Sequence, residues 1–271
     1  MLLYNTPIEE YEVSGIPVYV KREDLCSPPP LPPLEKLRGI ELILKRLKAE
    51  GITTVGVIDT RVSKAGWGVA GMCKEYGMNC IVVYPKLKGE TNLPFNQEAA
   101  KELGAEIYPI RGNYTRINYA VGKKYVESRG GVMLPWGLVC DETVKAVSLE
   151  AKNIDKKYYL GSLVLSVGSG TIISGILSGL DNEIPLVFGI SSGVSARNQL
   201  IVIRKYLHGH KDYDKIMRRL TLIEPIMPYE KCPDIIAPFP THPNYDLKAW
   251  HWLTLHVNQL KRPILFWNIG A

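Results

Sequence analysis

Between residues 54 and 110 three short apolar runs, TVGVI (54–58), CIVVYP (80–85) and AEIYPI (105–110), are separated by two stretches that end at glycine, GWGVAGMCKEYG (66–77) and NQEAAKELG (96–104). The first stretch is rich in small residues and both read as helices. Strand, helix and strand in succession predict a parallel sheet with helices on both faces. The rhythm returns with LGSLVLSVGSG (160–170), a helix from about residue 171, and PLVFGIS (185–191). The expected fold class is therefore α/β, with two open, twisted, mostly parallel sheets flanked by helices. A long helical stretch over roughly 142–157 separates the two halves.

At 271 residues with 46% apolar composition, the chain is large enough for a real core in two small domains or one large α/β unit. No run approaches the ~20 apolar residues of a membrane helix. The opening MLLYNTPIEEYE turns polar and acidic too early for a secretory signal, so a cytoplasmic protein is expected. Five scattered cysteines, Cys26, Cys73, Cys80, Cys140 and Cys232, have neither paired nor metal-like spacing, so reduced thiols and no metal are expected. The net charge of +6 favours anionic ligands without demanding nucleic acid. It is densest in IRKYLHGHKDYDKIMRR (203–219), which reads as a solvated helical hairpin or as a surface tracking phosphates.

Ahead of the first strand, PPPLPPLEKLRGI (28–40) joins five prolines to a helix whose apolar positions Leu37, Ile40, Ile43, Leu44 and Leu47 recur at helical spacing and stop at Gly51. The prolines serve either as a polyproline II docking peptide for an SH3-like partner or as a stiff lead-in holding Lys36. Further on, MPYEKCPDIIAPFPTHP (227–243) is a proline-punctuated connection over a surface or cleft. The strand PILFWNIGA closes on a turn able to place backbone beside a ligand.

The strongest chemical signal is SVGSGTIISG (166–175), set between an apolar run and a helix. Gly168 and Gly170 let the backbone approach an anion, Ser169 and Thr171 offer hydroxyls, and the helix start supplies N–H groups and a favourable dipole. It lacks the GKS or GKT of a nucleotide P-loop and the GxGxxG spacing of a dinucleotide site; a plain glycine-rich turn is the alternative. A phosphate site together with an upstream lysine suggests pyridoxal 5'-phosphate, whose aldehyde forms a Schiff base with lysine while its phosphate rests on a helix N-terminus.

VYVKREDL followed by EKLRGIELIL resembles the N-terminal signature of the fold-type II, tryptophan synthase β-like pyridoxal-phosphate enzymes. VSKAGWGVAGMCKEYGMNCIVVYP is similar to that family's Ser-x-Asn-x-Gly loop, helix and strand, and SVGSGTIISG to its phosphate loop. HPNYDLKAW and ILFWNIGA resemble segments of the aminocyclopropane-carboxylate deaminase and D-cysteine desulfhydrase branch. The resemblance implies a large cofactor-binding domain of residues 1–40 and 146–271 and a smaller α/β domain of residues 41–145. It also implies a homodimer acting on an amino acid or amino-acid-like substrate by elimination, replacement or deamination.

Residue by residue, the resemblance makes Lys36 the Schiff-base lysine and the base that moves the α-proton, and assigns the phosphate to Gly168, Ser169, Gly170 and Thr171. Tyr245 takes the place of an active-site tyrosine. Asp246 takes that of an acidic residue facing the pyridine nitrogen, unless it is an N-terminal helix cap. Lys64, after Ser63, stands where the family has an asparagine at the cofactor's 3'-oxygen, and there it could pair with the phenolate or with a substrate carboxylate. Ile269 replaces a hydroxyl residue of the terminal turn. The chain is shorter than typical relatives, which implies a more open site. Two rivals follow: a pyridoxal-phosphate enzyme for an amino-acid-modified nucleobase in DNA, and a non-catalytic member of the fold binding a phosphate ligand or a partner.

Overall fold

The structure is a computed structural model describing residues 2–159, 161–180 and 185–271. Along the chain run β1 (Ile8–Val13), β2 (Ile16–Arg22), α1 (Leu37–Ala49), β3 (Thr54–Ile58), α2 (Ala65–Tyr76), β4 (Asn79–Lys86), α3 (Phe95–Glu102) and β5 (Glu106–Arg111). Then come α4 (Thr115–Ser128), β6 (Val132–Met133), α5 (Asp141–Lys152), β7 (Ser162–Val167), α6 (Thr171–Gly179) and β8 (Leu186–Ser191). The last part holds α7 (Ala196–Leu207), α8 (Tyr213–Arg219), β9 (Leu220–Ile223), α9 (Asp246–His256) and β10 (Ile264–Asn268). The α/β class with two mostly parallel sheets is borne out. The stretch expected as one long helix over 142–157 ends at Lys152, and Asp155 then accepts from the Lys157 N–H to cap a separate short turn.

Two compact units divide the chain: residues 1–27, 33–35 and 143–271, and residues 28–32 and 36–142. In this partition Lys36 belongs to the second unit and residues 143–145 to the first.

The first unit is built on a six-stranded sheet ordered β1-β2-β10-β7-β8-β9. Only the β1–β2 pair is antiparallel among the described strands. Strand alternation decides what each face carries. Leu163, Leu165, Val167, Leu265 and Trp267 pack with Val147, Ile173, Ile176, Leu177 and Ile203 on one side. Val164, Ile264 and Phe266 meet Ala249, Trp250 and Leu253 of α9 on the other. The in-between polar residues Ser166 and Asn268 therefore share the α9 face.

The KRED signature at the end of β2 is a buried ionic cluster. Lys21 Nζ donates to the Thr6 carbonyl at 2.7 Å and lies 3.4 Å from both Glu23 and Glu150. Arg22 grips Asp24 with Nε and Nη2 at 2.9 and 2.7 Å, and Asn268 Nδ2 donates to the same Asp24 at 2.8 Å. Buried charges of this kind survive only when paired and hydrogen-bonded, which is why four consecutive charged residues end a strand here.

The second unit holds a parallel four-stranded sheet ordered β5-β4-β3-β6. Ile58, Ile81, Val83, Ile110, Val126 and Met133 form a core on one of its faces. The proline segment is packed here: the Trp67 indole donates to the Pro30 carbonyl at 2.8 Å, and Leu31 is seated where a side chain on Gly71 would stand.

Candidate active site

In the first unit the phosphate-type loop leaves the carboxyl end of β7 and turns into α6. Gly170 takes a left-handed φ of +92°, and a Cβ there would sit 3.0 Å from the Gln199 carbonyl, so the turn requires glycine. Ser169 and Thr171 hydroxyls bond each other at 2.8 Å. Gln199 Nε2 donates to the carbonyls of Val167, Gly168 and Val194, which braces the loop from α7. The first N–H groups of α6 have no intrahelical carbonyl to reach, so an anion at this turn meets donors and the positive end of a helix dipole.

Two residues before the loop, Ser166 donates its hydroxyl to Asp246 Oδ1 at 3.1 Å, and the Ile269 N–H donates to the same oxygen at 3.0 Å. The carboxylate is 1% exposed, and its Oδ2 has no hydrogen-bond partner among the described residues. Burial pushes its pKa up to about 7, assisted by the nearby Asp24 charge and opposed by those two donors. Asp246 is the first residue of α9, and its carboxylate reaches across to the turn after β10, so the helix-cap alternative does not hold.

Tyr245 lies against the loop as well: a Cβ on Gly168 would meet Tyr245 Cε1 at 3.3 Å and Ser192 Oγ at 3.9 Å. Its hydroxyl shares a 2.5 Å hydrogen bond with that of Tyr229, the two rings meeting edge to face at 5.7 Å. The His242 ring meets that of Tyr245 edge to face, centroids 4.8 Å apart. Thus the loop Gly168–Thr171, Tyr245 and Asp246 are gathered at one end of β7.

In the second unit Lys36 immediately precedes α1 and donates from Nζ to the Gly137 carbonyl at 2.7 Å. Ser63 and Lys64 stand in the turn between β3 and α2, Lys64 at the helix N-cap position. That turn is organised by buried Asp59. The Thr60 N–H donates to Oδ1, while the Gly66 N–H and Gln97 Nε2 donate to Oδ2. Burial raises Asp59 to about 6 against these bonds and one from Ser63. Ser63 Oγ also accepts the Ala65 N–H at 3.1 Å.

Sequence reading missed Tyr229, Ser166, Lys248 and Asp59. Tyr229 lay inside a segment read only as a connection, and its link to Tyr245 spans 16 positions with no periodicity to announce it. Ser166 was the available signal: a serine on an otherwise apolar strand, immediately ahead of the glycine loop.

Pyridoxal phosphate presents a phosphate and a ring nitrogen, and the first unit fits both. The glycine turn sets the first N–H groups of α6 beside the Ser169 and Thr171 hydroxyls, a donor set suited to a phosphate, and Asp246 Oδ2 is a buried carboxylate oxygen without a hydrogen-bond partner among the described residues.

Comparison with known proteins agrees. The family described as pyridoxal-phosphate dependent enzymes matches residues 1–229. A protein of Pseudomonas phage M6 named glycyl-dTMP PLP-dependent decarboxylase is 34% identical over 287 aligned positions, covering 100% of both chains. Among solved structures, an ACC deaminase homologue superposes with TM-score 0.78 at 20% identity over 99% of this chain and 90% of that one. A T.th. threonine deaminase gives 0.66 at 13% over 98% and 92%. At these identities the two structures share the fold.

Proposed function

The chain belongs to the pyridoxal-phosphate-dependent enzyme family, and from that premise we propose that it breaks a bond at the α-carbon of an amino-acid group carried on a nucleotide. The cofactor, when bound, supplies an electron sink for charge left at that carbon. Lys36 contributes the amine that holds the cofactor's aldehyde and afterwards moves a proton at the α-carbon. Gly168, Ser169, Gly170 and Thr171 hold the phosphate through N–H and hydroxyl donors. Asp246 Oδ2 keeps a proton on the ring nitrogen. Ser63 and Lys64 serve the phenolic oxygen or the substrate's carboxylate, and the Tyr245 hydroxyl holds a proton beside the reacting group.

The observation that carries the cofactor reading is the buried Asp246 carboxylate, anchored through one oxygen and without a partner at the other among the described residues, next to a glycine turn that opens a helix. The nucleotide-linked substrate is supported by the phage relative, whose name gives glycyl-dTMP as what it acts on. For such a substrate the reaction is release of carbon dioxide from the glycyl carboxylate, with a proton taking its place.

Purified protein mixed with pyridoxal phosphate should gain visible absorption, and borohydride should fix the cofactor on the Lys36 peptide. Glycyl-dTMP, free or within a DNA strand, should then release carbon dioxide. Protein that stays colourless removes the cofactor roles, whereas coloured protein inert toward glycyl-dTMP removes only the substrate. A second reading, a free amino acid losing ammonia, rests on Tyr245 and Asp246 at the deaminase-like positions, and ammonia release without action on glycyl-dTMP selects it. A homodimer, a cytoplasmic setting and DNA as the carrier complete the proposal. Light scattering, cell fractionation and salt-sensitive polynucleotide binding check them in turn.

A further inference from the structure

Lys248, in the first turn of α9, is 1% exposed, yet no carboxylate lies within ion-pair distance among the described residues. Its ammonium instead donates to three backbone carbonyls, those of Ser192, Pro228 and Tyr229, each at 2.9 Å. Three donors meet three acceptors, which is the full capacity of the group. Burial lowers the proton affinity of this amine, so the site is costly to maintain and a methionine would fill similar volume without a charge.

What the charge does is visible in what it ties together. Ser192 follows the end of β8, and Pro228 and Tyr229 lie in the connection after β9. One side chain of α9 therefore fixes two chain segments remote from it in sequence. The Tyr229 carbonyl receives a further bond from Asn244 Nδ2 at 3.0 Å, and the Lys248 ammonium stands 5.8 Å from the centre of the Tyr229 ring. A Cβ on Gly193 would lie 2.6 Å from Tyr229 Cβ, so the absence of a side chain there lets Tyr229 close in. Its hydroxyl then meets Tyr245, which in turn packs on Gly168 of the phosphate-type loop.

We propose that Lys248 is a positioning residue: by holding the Ser192, Pro228 and Tyr229 carbonyls on one ammonium, it sets the Tyr229 phenol against the Tyr245 phenol beside the loop. The Tyr229 backbone cannot drift while three segments share that centre, and the direction of the Tyr245 hydroxyl is fixed through its partner. This rests on the reading above that Tyr245 serves the reaction, but the geometry of the phenol pair is measurable without cofactor or substrate.

The test uses Lys248→Met, which keeps bulk and loses all three donors, and Lys248→Gln, which keeps a shorter donor. Each is prepared with tyrosine labelled at ¹³Cζ, and the Tyr229 and Tyr245 signals are assigned by their loss in Tyr229→Phe and Tyr245→Phe. In the cofactor-free Lys248→Met protein both signals should shift while the remaining tyrosines keep theirs, with Lys248→Gln between it and wild type. Loaded with pyridoxal phosphate, Lys248→Met should retain the visible absorption, keep KM for glycyl-dTMP and lose about 10- to 100-fold in kcat. Unmoved phenol signals overturn the assignment, as does failure of both variants to fold, which would make Lys248 a residue of folding alone. Wild-type protein that takes up no cofactor overturns the catalytic reading and leaves the phenol measurement to decide the positioning role.

Discussion

The Ser166 hydroxyl and the Asp246 carboxylate, 80 positions apart, meet at 3.1 Å on the face of β7 that α9 covers. Serine occupies one carboxylate oxygen and leaves the other without a partner among the described residues. A strand residue and a helix residue thereby hold a buried acid group by one of its two oxygens.

Asp246 makes cofactor-free protein sensitive to pH. Its folded pKa of about 7 lies above the ordinary 3.8, so the folded state holds a proton that the unfolded state has released. The stability it lends is complete below pH about 4 and disappears as pH rises through about 7, amounting to at most roughly 4 kcal/mol. Thermal melts of cofactor-free wild type and Asp246→Asn should converge at low pH and separate above pH 7, where the asparagine protein is the more stable. Curves parallel throughout the range would count against the buried acid.

Gly170→Ala places a side chain on a left-handed backbone and 3.0 Å from the Gln199 carbonyl. A cost of about 1–2 kcal/mol is expected from the backbone alone. Affinity for pyridoxal phosphate, followed by absorbance titration, should weaken more than affinity at Gly168→Ala, where the contact is the 3.3 Å approach of the Tyr245 ring edge.

Lys36→Ala should fold with little change in melting temperature, because the residue precedes α1 and is only partly buried. Borohydride should then fix no cofactor at that position, and turnover should vanish. Tagging of another lysine in wild-type protein would move the attachment site.

Asp59→Ala strips acceptors from the Gly66 N–H and the buried Gln97 amide. Unfolding in denaturant should show a loss of about 2–3 kcal/mol. The turn carrying Ser63 and Lys64 should exchange its amide protons faster, which hydrogen exchange resolves peptide by peptide.

Much of the fold was legible because buried parallel strands and glycine-ended helices leave local patterns. TVGVI is β3 residue for residue, and the turn at Gly77 ends α2 as expected. β1 left no such trace: its IEEYEV is an edge strand with Glu10 and Glu12 exposed and Glu9 paired to Arg22, and it pairs with β2 through a tight turn. The loop Gly168–Thr171 could be recognised from its own ten residues. The purpose of Lys248 could not, since its three acceptors lie 19, 20 and 56 positions away and are backbone atoms, which any sequence supplies. That the Asp246 carboxylate would bond the Ile269 N–H rather than the start of its own helix was equally hidden, because the two lie 23 positions apart.

β10 runs between β2 and β7, hydrogen-bonded in parallel to both. On a translating ribosome those two strands emerge long before residues 264–268, and until then each presents an unsatisfied edge with nothing to fill the gap. The six-stranded sheet therefore closes from its middle, and the Ile269 N–H that grips Asp246 arrives with the closing strand. Nascent chains stalled ahead of residue 264 should bind chaperones and leave β2 open to proteolysis, and release of the remaining residues should end both at once.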